Sequence, residues 1–118
     1  MASNAIVFSW TRSIPGRELL SAEHFTQFVG YLTNQKSNGT ISNFDIVFLN
    51  PSGNGGPAGF VLITGDSQKL HALSETNEWI EHITRASLHL ESSGAVFAAT
   101  GTEVQNRMQL WTKSIPTK

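Results

Sequence analysis

The chain has 118 residues, of which 39% are hydrophobic, and its formal net charge at neutral pH is -1. This length predicts one domain with enough apolar residues to bury a core. The 8 basic residues are scattered along the chain, and this distribution argues against binding of nucleic acid. Because the chain contains no cysteine, disulfides, thiol catalysis and thiolate metal sites are excluded.

Charged residues make up 14% of the chain, against about 25% in a typical soluble domain. A subunit interface that covers part of the surface is one explanation. A surface that is polar but uncharged, rich in Ser, Thr, Asn and Gly, is the other.

Residues 4–10 are predicted to form the first strand. Ile6, Phe8 and Trp10 alternate with smaller or more polar residues, so they share one face of that strand. The turn signal Ile14-Pro15-Gly16 then ends this segment.

The first helix is predicted to begin near Ser21, a favourable N-cap residue, and to end at Asn38-Gly39. Apolar residues at helical spacing indicate its buried face. These residues are Ala22, Phe25, Val29 and Leu32, with Phe28 beside them.

An antiparallel hairpin is predicted from two β-favouring segments, residues 41–49 and 59–64. Phe44, Ile46 and Phe48 fall on one face of the first segment. The connection at residues 50–59 is rich in glycine and proline, which predicts a wide loop.

Two helical pieces are predicted after the hairpin. Asp66 can cap a helix over residues 67–73, and Thr76 can cap a second helix over about residues 77–87. The spacing of apolar residues predicts the inward face of the second piece as Trp79, Ile80, Ile83 and Ser87.

Residues 94–100 are predicted to form the last strand. The pattern Thr102-x-x-Gln105 resembles a capping box and predicts a C-terminal helix after that strand. Its apolar residues are Val104, Met108 and Leu110 or Trp111.

The order strand, helix, strand, strand, helix, strand predicts an α+β fold, the ferredoxin-like split βαβ sandwich. It has a four-stranded antiparallel sheet with helices on one face, plus the C-terminal helix. Residues 1–118 form a single domain, with a core of about 4–101 and a tail of about 102–118. The open sheet face, drawn from sets such as Ile6, Phe8 and Trp10 or Phe44, Ile46 and Phe48, predicts a homodimer.

Residues 5–101 resemble the dimeric α/β-barrel superfamily of ferredoxin-like domains, and within it a group of small bacterial proteins of unassigned function. Three stretches carry the resemblance: Trp10-Thr11-Arg12 with Ile14-Pro15-Gly16, Gly59-Phe60 with Ile63-x-Gly65-Asp66, and Glu78-Trp79-x-x-His82-x-Thr84-Arg85-Ala86. The resemblance implies a dimer whose two sheets pack face to face, with a ligand cavity between the sheet and the helices of each subunit. The superfamily includes cofactor-independent monooxygenases, isomerases and haem-handling enzymes, so fold alone does not choose an activity.

The strongest candidate site is the helical stripe Glu78, His82, Arg85 and His89, whose spacings of four, three and four place them on one side of a helix. His82 is the candidate acid or base, and Arg85 is the candidate group for holding a carboxylate or a developing oxyanion. Trp79 lies beside the stripe and would bind the ligand as an aromatic wall. The alternative is a solvated helix face with a Glu78–His82 pair.

Trp10 and Arg12 lie at the end of the first strand, where such folds often open a cavity, and are further candidates for ligand binding. The alternative places Trp10 in the core and Arg12 on the surface. Metal binding is not predicted, because no two histidines are three or four residues apart on one helix, and no cofactor is expected.

The N-terminus lacks a basic region followed by a long apolar run, and no stretch approaches the roughly 18 apolar residues of a membrane span. A cytoplasmic location without a membrane partner is therefore expected. Two functions stay open: a module that binds a small molecule, such as an aromatic compound or organic acid, and a cofactor-independent monooxygenase or isomerase for an aromatic or enolisable acid. A purely structural role is a third possibility.

Overall fold

The computed structural model describes residues 2–51 and 55–116. Six strands and four helices are formed within these ranges. In chain order they are β1 (Ala5–Trp10), β2 (Arg12–Ser13), α1 (Glu18–Ser37), β3 (Asn43–Phe48), β4 (Gly59–Thr64), α2 (Ser67–Ser74), α3 (Asn77–His89), β5 (Leu90–Glu91), β6 (Gly94–Ala98) and α4 (Thr102–Lys113).

The main sheet has four antiparallel strands in the order β3-β4-β1-β6. β1 lies in its centre, so that Phe8 is opposite Val61 of β4 on one side and Ala95 of β6 on the other. This confirms the predicted α+β architecture and is compatible with a ferredoxin-like fold. Part of the predicted loop, residues 52–54, and the end of the predicted tail, residues 117–118, lie outside the described ranges.

The core lies between one face of this sheet and helices α1, α2 and α3. Ile6, Phe8, Val61 and Ile63 from the sheet are in one buried cluster with helix residues such as Leu32. The set of Ile6, Phe8 and Trp10 was predicted to supply an open sheet face. This prediction is wrong, because the helices cover the face on which Ile6 and Phe8 lie.

The opposite sheet face carries a smaller apolar row. Val7 lies opposite Leu62 of β4 and Val96 of β6, so these three side chains project together away from the core. Val7 and Leu62 are half-buried, whereas Val96 is 64% exposed.

Helix α1 begins at Glu18 rather than near Ser21. Arg17 occupies the N-cap position without a side-chain cap, and the backbone N–H of Gly16 donates to the Glu18 carboxylate at 3.0 Å. Ser21 therefore does not cap the helix, and its hydroxyl bonds to His89 instead.

The buried face of α1 is rotated from the predicted one. It consists of His24, Phe28, Tyr31 and Leu32, while Ala22 is exposed. The prediction followed apolar residues alone and left out a histidine that the fold buries.

Asp66 and Thr76 cap α2 and α3 as predicted, by accepting bonds from the backbone N–H of Lys69 and Trp79. The inward face of α3 was predicted only in part. Trp79 is buried, but Ile80 is 49% exposed and Ser87 is exposed. The buried positions continue instead to Ala86 and His89.

Helix α4 stands apart from the core. The predicted capping box is wrong, because Gly101 is the N-cap and no side-chain cap bond forms. None of its side chains is buried, and Val104, Met108 and Trp111 are exposed along one side. The radius of gyration, 16.1 Å, exceeds the value of about 13.5 Å for a compact chain of this length because α4 projects.

The last strand ends at Ala98, two residues earlier than predicted. Beyond it, the Asn4 side-chain amide bridges the strand ends by accepting from the N–H of Thr100 at 2.9 Å and donating to its carbonyl at 3.1 Å. Among the helices of the described ranges, none has the length and apolar character needed to cross a membrane.

Candidate functional site

A cavity of about 260 Å³ lies between the main sheet and helices α1 and α3, beside the short β2–β5 pair. Most of its wall is apolar and aromatic. The apolar lining residues are Phe8, Trp10, Ala22, Phe25, Phe28, Phe48, Ile83, Ala86 and Leu90. A cavity of this size fits a small molecule rather than a peptide or a large cofactor.

The aromatic side chains of this wall contact one another. The rings of Trp10 and Phe48 meet edge to face with centroids 6.1 Å apart, and those of Phe25 and Phe48 are 5.5 Å apart. Such contacts hold the rings in place and leave flat faces for a ligand.

The remaining lining residues form one polar wall: Ser13, Ser21, His24, His82 and His89. They come from three elements that are distant in sequence. Ser13 is on β2, Ser21 and His24 are on α1, and the other two histidines are on α3.

These five side chains form one continuous chain of hydrogen bonds, which we call the histidine–serine chain. Ser13 Oγ donates to Ser21 Oγ at 2.7 Å, and Ser21 Oγ lies 2.8 Å from Nδ1 of His89. Nε2 of His89 is 2.8 Å from Nδ1 of His24. Nε2 of His24 is in turn 3.0 Å from Nδ1 of His82.

The ring orientations agree with this bonding. The His24 and His82 planes differ by 6° with centroids 5.2 Å apart, close to the greatest separation that a 3.0 Å contact between ring nitrogens allows. The two rings therefore lie side by side, and the shared hydrogen lies near both planes. The His89 ring is perpendicular to that of His24 and meets it at its edge.

Helix periodicity explains why these groups meet. His82 and His89 are two turns apart on α3 and share one face, and His24 of α1 reaches between them. Ser21 precedes His24 by about one turn. The β2–β5 pairing places Ser13 at the end of the histidine–serine chain. Beside it, the N–H of Ile14 donates to the His89 carbonyl at 2.8 Å.

The three histidines are held in the neutral form. Burial, with the positive charge of Arg85 and the neighbouring imidazoles, lowers the pKa of His24 to about 4. Burial is also the main cause that lowers the pKa of His82 and of His89, and Arg85 again adds to it. Each ring therefore has one donor and one acceptor nitrogen near neutral pH.

Two carboxylates act against this effect at His82 alone. The negative charges of Glu78 and Glu81 raise the His82 pKa, but burial and Arg85 outweigh them. The Glu78–His82 pair of the alternative, solvated-face interpretation does not form: Glu78 is exposed, and Nδ1 of His82 bonds to His24.

Tyr31 is buried beside His82, with ring centroids 4.6 Å apart, and does not line the cavity. Burial raises the pKa of its phenol. Its hydroxyl is the one buried side-chain polar atom without a hydrogen bond of ordinary geometry among residues 2–51 and 55–116.

The structure brings three of the predicted site residues to the cavity, His82 and His89 of the helical stripe and Trp10. Arg12 lies on the surface and pairs with Glu91, whose hydrogen bond and charge raise the Arg12 pKa. Trp79 is in the core, with its ring 6.1 Å from that of Phe28. Arg85 is half-buried and does not line the cavity, although its charge acts on the three histidines.

Sequence reasoning missed Ser13, Ser21 and His24. One signal was available for His24, because it precedes Phe28, Tyr31 and Leu32 at helical spacing. Treating histidine as a residue that can be buried would have placed it on the inward face.

No group of three His, Cys, Asp or Glu side chains in the described part of the chain could hold a metal ion. The facing nitrogens of the three close histidines bond to each other. A metal would have to break both bonds to bind there.

Comparison with family models found no match, and comparisons with curated proteins and with solved structures found none either. The function is therefore inferred from the geometry of the cavity.

Proposed function

We propose that this protein binds a small, flat, uncharged molecule in the cavity, with aromatic faces against Trp10 and Phe28 and one polar group against His82. The observation that carries the proposal is the cavity itself, whose wall is aromatic on most sides and polar only along the histidine–serine chain. Natural small-molecule sites commonly combine an apolar wall with a few placed polar groups.

The uncharged ligand is favoured over an organic acid. The two arginines predicted to hold a carboxylate, Arg12 and Arg85, are absent from the cavity wall, and the lining histidines have lowered pKa values. A buried carboxylate would lose its hydration without a paired charge. Anion binding by these arginines stays a prediction, which the next experiment also tests.

Calorimetry with three ligands of similar shape tests the proposal: 4-nitrophenol, 4-nitrobenzyl alcohol and 4-nitrobenzoate, at about pH 6, where the phenol is mostly uncharged and the carboxylic acid is ionised. The two uncharged ligands should bind, and the carboxylate should bind at least roughly tenfold more weakly. Tighter binding of the carboxylate that is lost in Arg85→Ala would favour the organic acid instead.

The Ala22→Trp variant tests the same proposal by a change in the protein rather than in the ligand. Ala22 lines the cavity but is exposed, so an indole there fills the opening without entering the core. Ala72→Trp, at an exposed position of α2 outside the cavity, is the control. Loss of binding in the first variant alone supports the cavity as the site. Equal binding by both variants, or no binding by the wild type, would remove the proposal.

The second candidate is a cofactor-independent enzyme, an isomerase or monooxygenase, that acts on an aromatic or enolisable substrate. The bonding of His82 favours it. Nδ1 of this ring is held by His24, while Nε2 has no hydrogen-bond partner among the described residues and lies on a cavity-lining side chain. A neutral imidazole with one free nitrogen is suited to proton transfer.

Exchange of the α-protons of 2-tetralone in heavy water, followed by proton NMR, tests this second function. The wild type should accelerate exchange, and His82→Gln should lose the acceleration. His71→Gln, which changes an exposed histidine outside the cavity, is the control. No acceleration by the wild type would leave ligand binding alone.

We further propose that the protein is a homodimer of the dimeric α/β-barrel type, with a ferredoxin-like subunit. The apolar row of Val7, Leu62 and Val96 on the outer sheet face supports a second copy as its cover, as does the side of α4 that carries Met108 and Trp111.

A further inference from the structure

We propose that the histidine–serine chain is a proton relay, which accepts a proton from a phenolic or enolic ligand at Nε2 of His82 and releases one to water at Ser13. This inference rests on the proposed ligand-binding function, and it names the ligand class and the path of the proton. The observation behind it is that one unbroken line of short hydrogen bonds joins His82, a cavity-lining side chain whose Nε2 has no hydrogen-bond partner among the described residues, to the half-buried hydroxyl of Ser13 at the other end of the polar wall.

The bonding allows only two arrangements of hydrogens. A neutral imidazole donates from one nitrogen and accepts at the other. Because His24 bonds through both nitrogens, a proton on its Nδ1 requires a proton on Nδ1 of His82 and of His89 as well. The alternative places all three protons on Nε2. The three rings therefore change tautomer together.

The transfer balances as a single shift along the line. The ligand O–H gives its proton to Nε2 of His82, and the Nδ1 proton of His82 passes to Nε2 of His24. The Nδ1 proton of His24 then passes to Nε2 of His89, and that of His89 passes to Ser21 Oγ. Before the transfer the Ser21 hydroxyl donates to Ser13 Oγ, so Ser21 gives that proton to Ser13, and Ser13 releases its own proton to water. The bond in which Ser13 Oγ donates to Ser21 Oγ is the arrangement after the transfer, since hydroxyl hydrogens rotate to suit their partners. The ligand becomes an anion, and every ring ends neutral.

The surroundings favour an oxyanion at this place. After the transfer, Nε2–H of His82 can donate to the oxygen that lost its proton. The ligand enters the apolar cavity as a neutral molecule and becomes an anion only beside this donor. Phenols and enols fit both needs, since they are neutral in solution, flat and weakly acidic.

The first experiment uses the wild type without ligand. Histidine labelled with nitrogen-15 should show couplings across the His24–His82 and His24–His89 hydrogen bonds, and the three rings should have the same tautomer populations. Absence of the couplings, or two different tautomers within the chain, overturns the relay and leaves the ligand-binding proposal standing.

The second experiment measures protons released when 4-nitrophenol binds, by calorimetry in two buffers of different ionisation enthalpy. The wild type should release a proton for each bound ligand. His24→Gln should bind the ligand without release, because an amide does not pass a proton between its two ends. His71→Gln is the protein control, and 4-nitrobenzyl alcohol, which has no acidic proton, is the ligand control.

The outcomes separate the two proposals. Binding without proton release, or release that persists in His24→Gln, overturns the relay alone. No binding of 4-nitrophenol by the wild type removes the proposed function and the relay with it. If His24→Gln does not fold, the labelled wild type decides: 4-nitrophenol should move the three rings together from the Nδ1–H to the Nε2–H tautomer, and unchanged tautomers overturn the relay.

Discussion

His24 of α1 and His82 of α3 lie side by side, 58 residues apart in sequence, with ring nitrogens 3.0 Å apart and ring planes that differ by 6°. Each ring satisfies a polar atom of the other in a largely apolar environment. The pair thus joins two helices and also forms the polar wall of the cavity.

Acid should destabilise the protein through these histidines. The pKa of His24 is about 4 in the folded state against an ordinary value of about 6.5, so between these values the unfolded state binds a proton that the folded state does not. Its contribution is full above about pH 7 and is lost as the pH falls toward 4, by about 2–3 kcal/mol. The lowered pKa values of His82 and His89 act in the same direction.

Urea unfolding between about pH 7.5 and 4.5 measures this loss, with the slope in urea checked for two-state behaviour. His24→Gln should reduce the dependence on pH, and His71→Gln, at an exposed position outside the cavity, is the control. Stability that does not change over this range would contradict the neutral histidines.

Removal of the Arg85 charge should raise the pKa of all three histidines. The charge lowers each of them, as a cation disfavours a nearby imidazolium. NMR titration of the imidazole protons should show higher midpoints in Arg85→Ala than in the wild type. Arg107→Ala, on α4, is the control. Midpoints that stay unchanged would mean that burial alone neutralises the rings.

Leu32 should be essential to the packing of α1. Its side chain is fully buried in the core cluster, so Leu32→Ala should lower the free energy of unfolding by about 2–5 kcal/mol. Leu19→Ala on the same helix removes the same atoms from a side chain that is 81% exposed, and it should change the stability by about 0.5 kcal/mol or less. Similar effects in both variants would show that α1 turns a different face toward the core from the one that contains Leu32.

Two glycines should respond in opposite directions to alanine. A Cβ at Gly59 would lie 2.6 Å from the carbonyl oxygen of Val47 and 3.0 Å from the Trp10 side chain, so Gly59→Ala should cost about 1–3 kcal/mol. A Cβ at Gly30, inside α1, meets nothing within 4 Å, and Gly30→Ala should stabilise the helix by about 0.5–1 kcal/mol. Thermal unfolding compares them. A neutral Gly59→Ala would mean that β3 and β4 are farther apart here.

The proposed homodimer should depend on the outer sheet face. Sedimentation of the wild type at micromolar concentration should show twice the chain mass of 12.9 kDa. Val96→Lys places a charge in the apolar row of that face and should shift the species to the monomer. Leu88→Lys changes an exposed leucine of α3 and is the control. A wild type that sediments only as a monomer would contradict the proposal.

Local sequence signals were sufficient for most of the fold. Alternation of apolar residues located the four long strands, because a half-covered sheet face requires that pattern. Asp66 and Thr76 identified the helix starts of α2 and α3, since a cap depends only on residues within one turn. Ser21 is not the cap, because the helix begins three residues earlier, at Glu18, and its hydroxyl bonds to a histidine from a distant segment.

The sequence by itself determined the α+β order of elements, the residues that share a strand face and the two capped helices, because these depend on neighbours within a few positions. It also predicted His82 and Trp10 as site residues. Only the tertiary structure decided that His24 joins His82 to His89, and that Arg85 acts through its charge rather than on the cavity wall. The reason is physical: a polar residue is buried only where a partner from a distant segment satisfies it, and spacing along one segment does not reveal that partner.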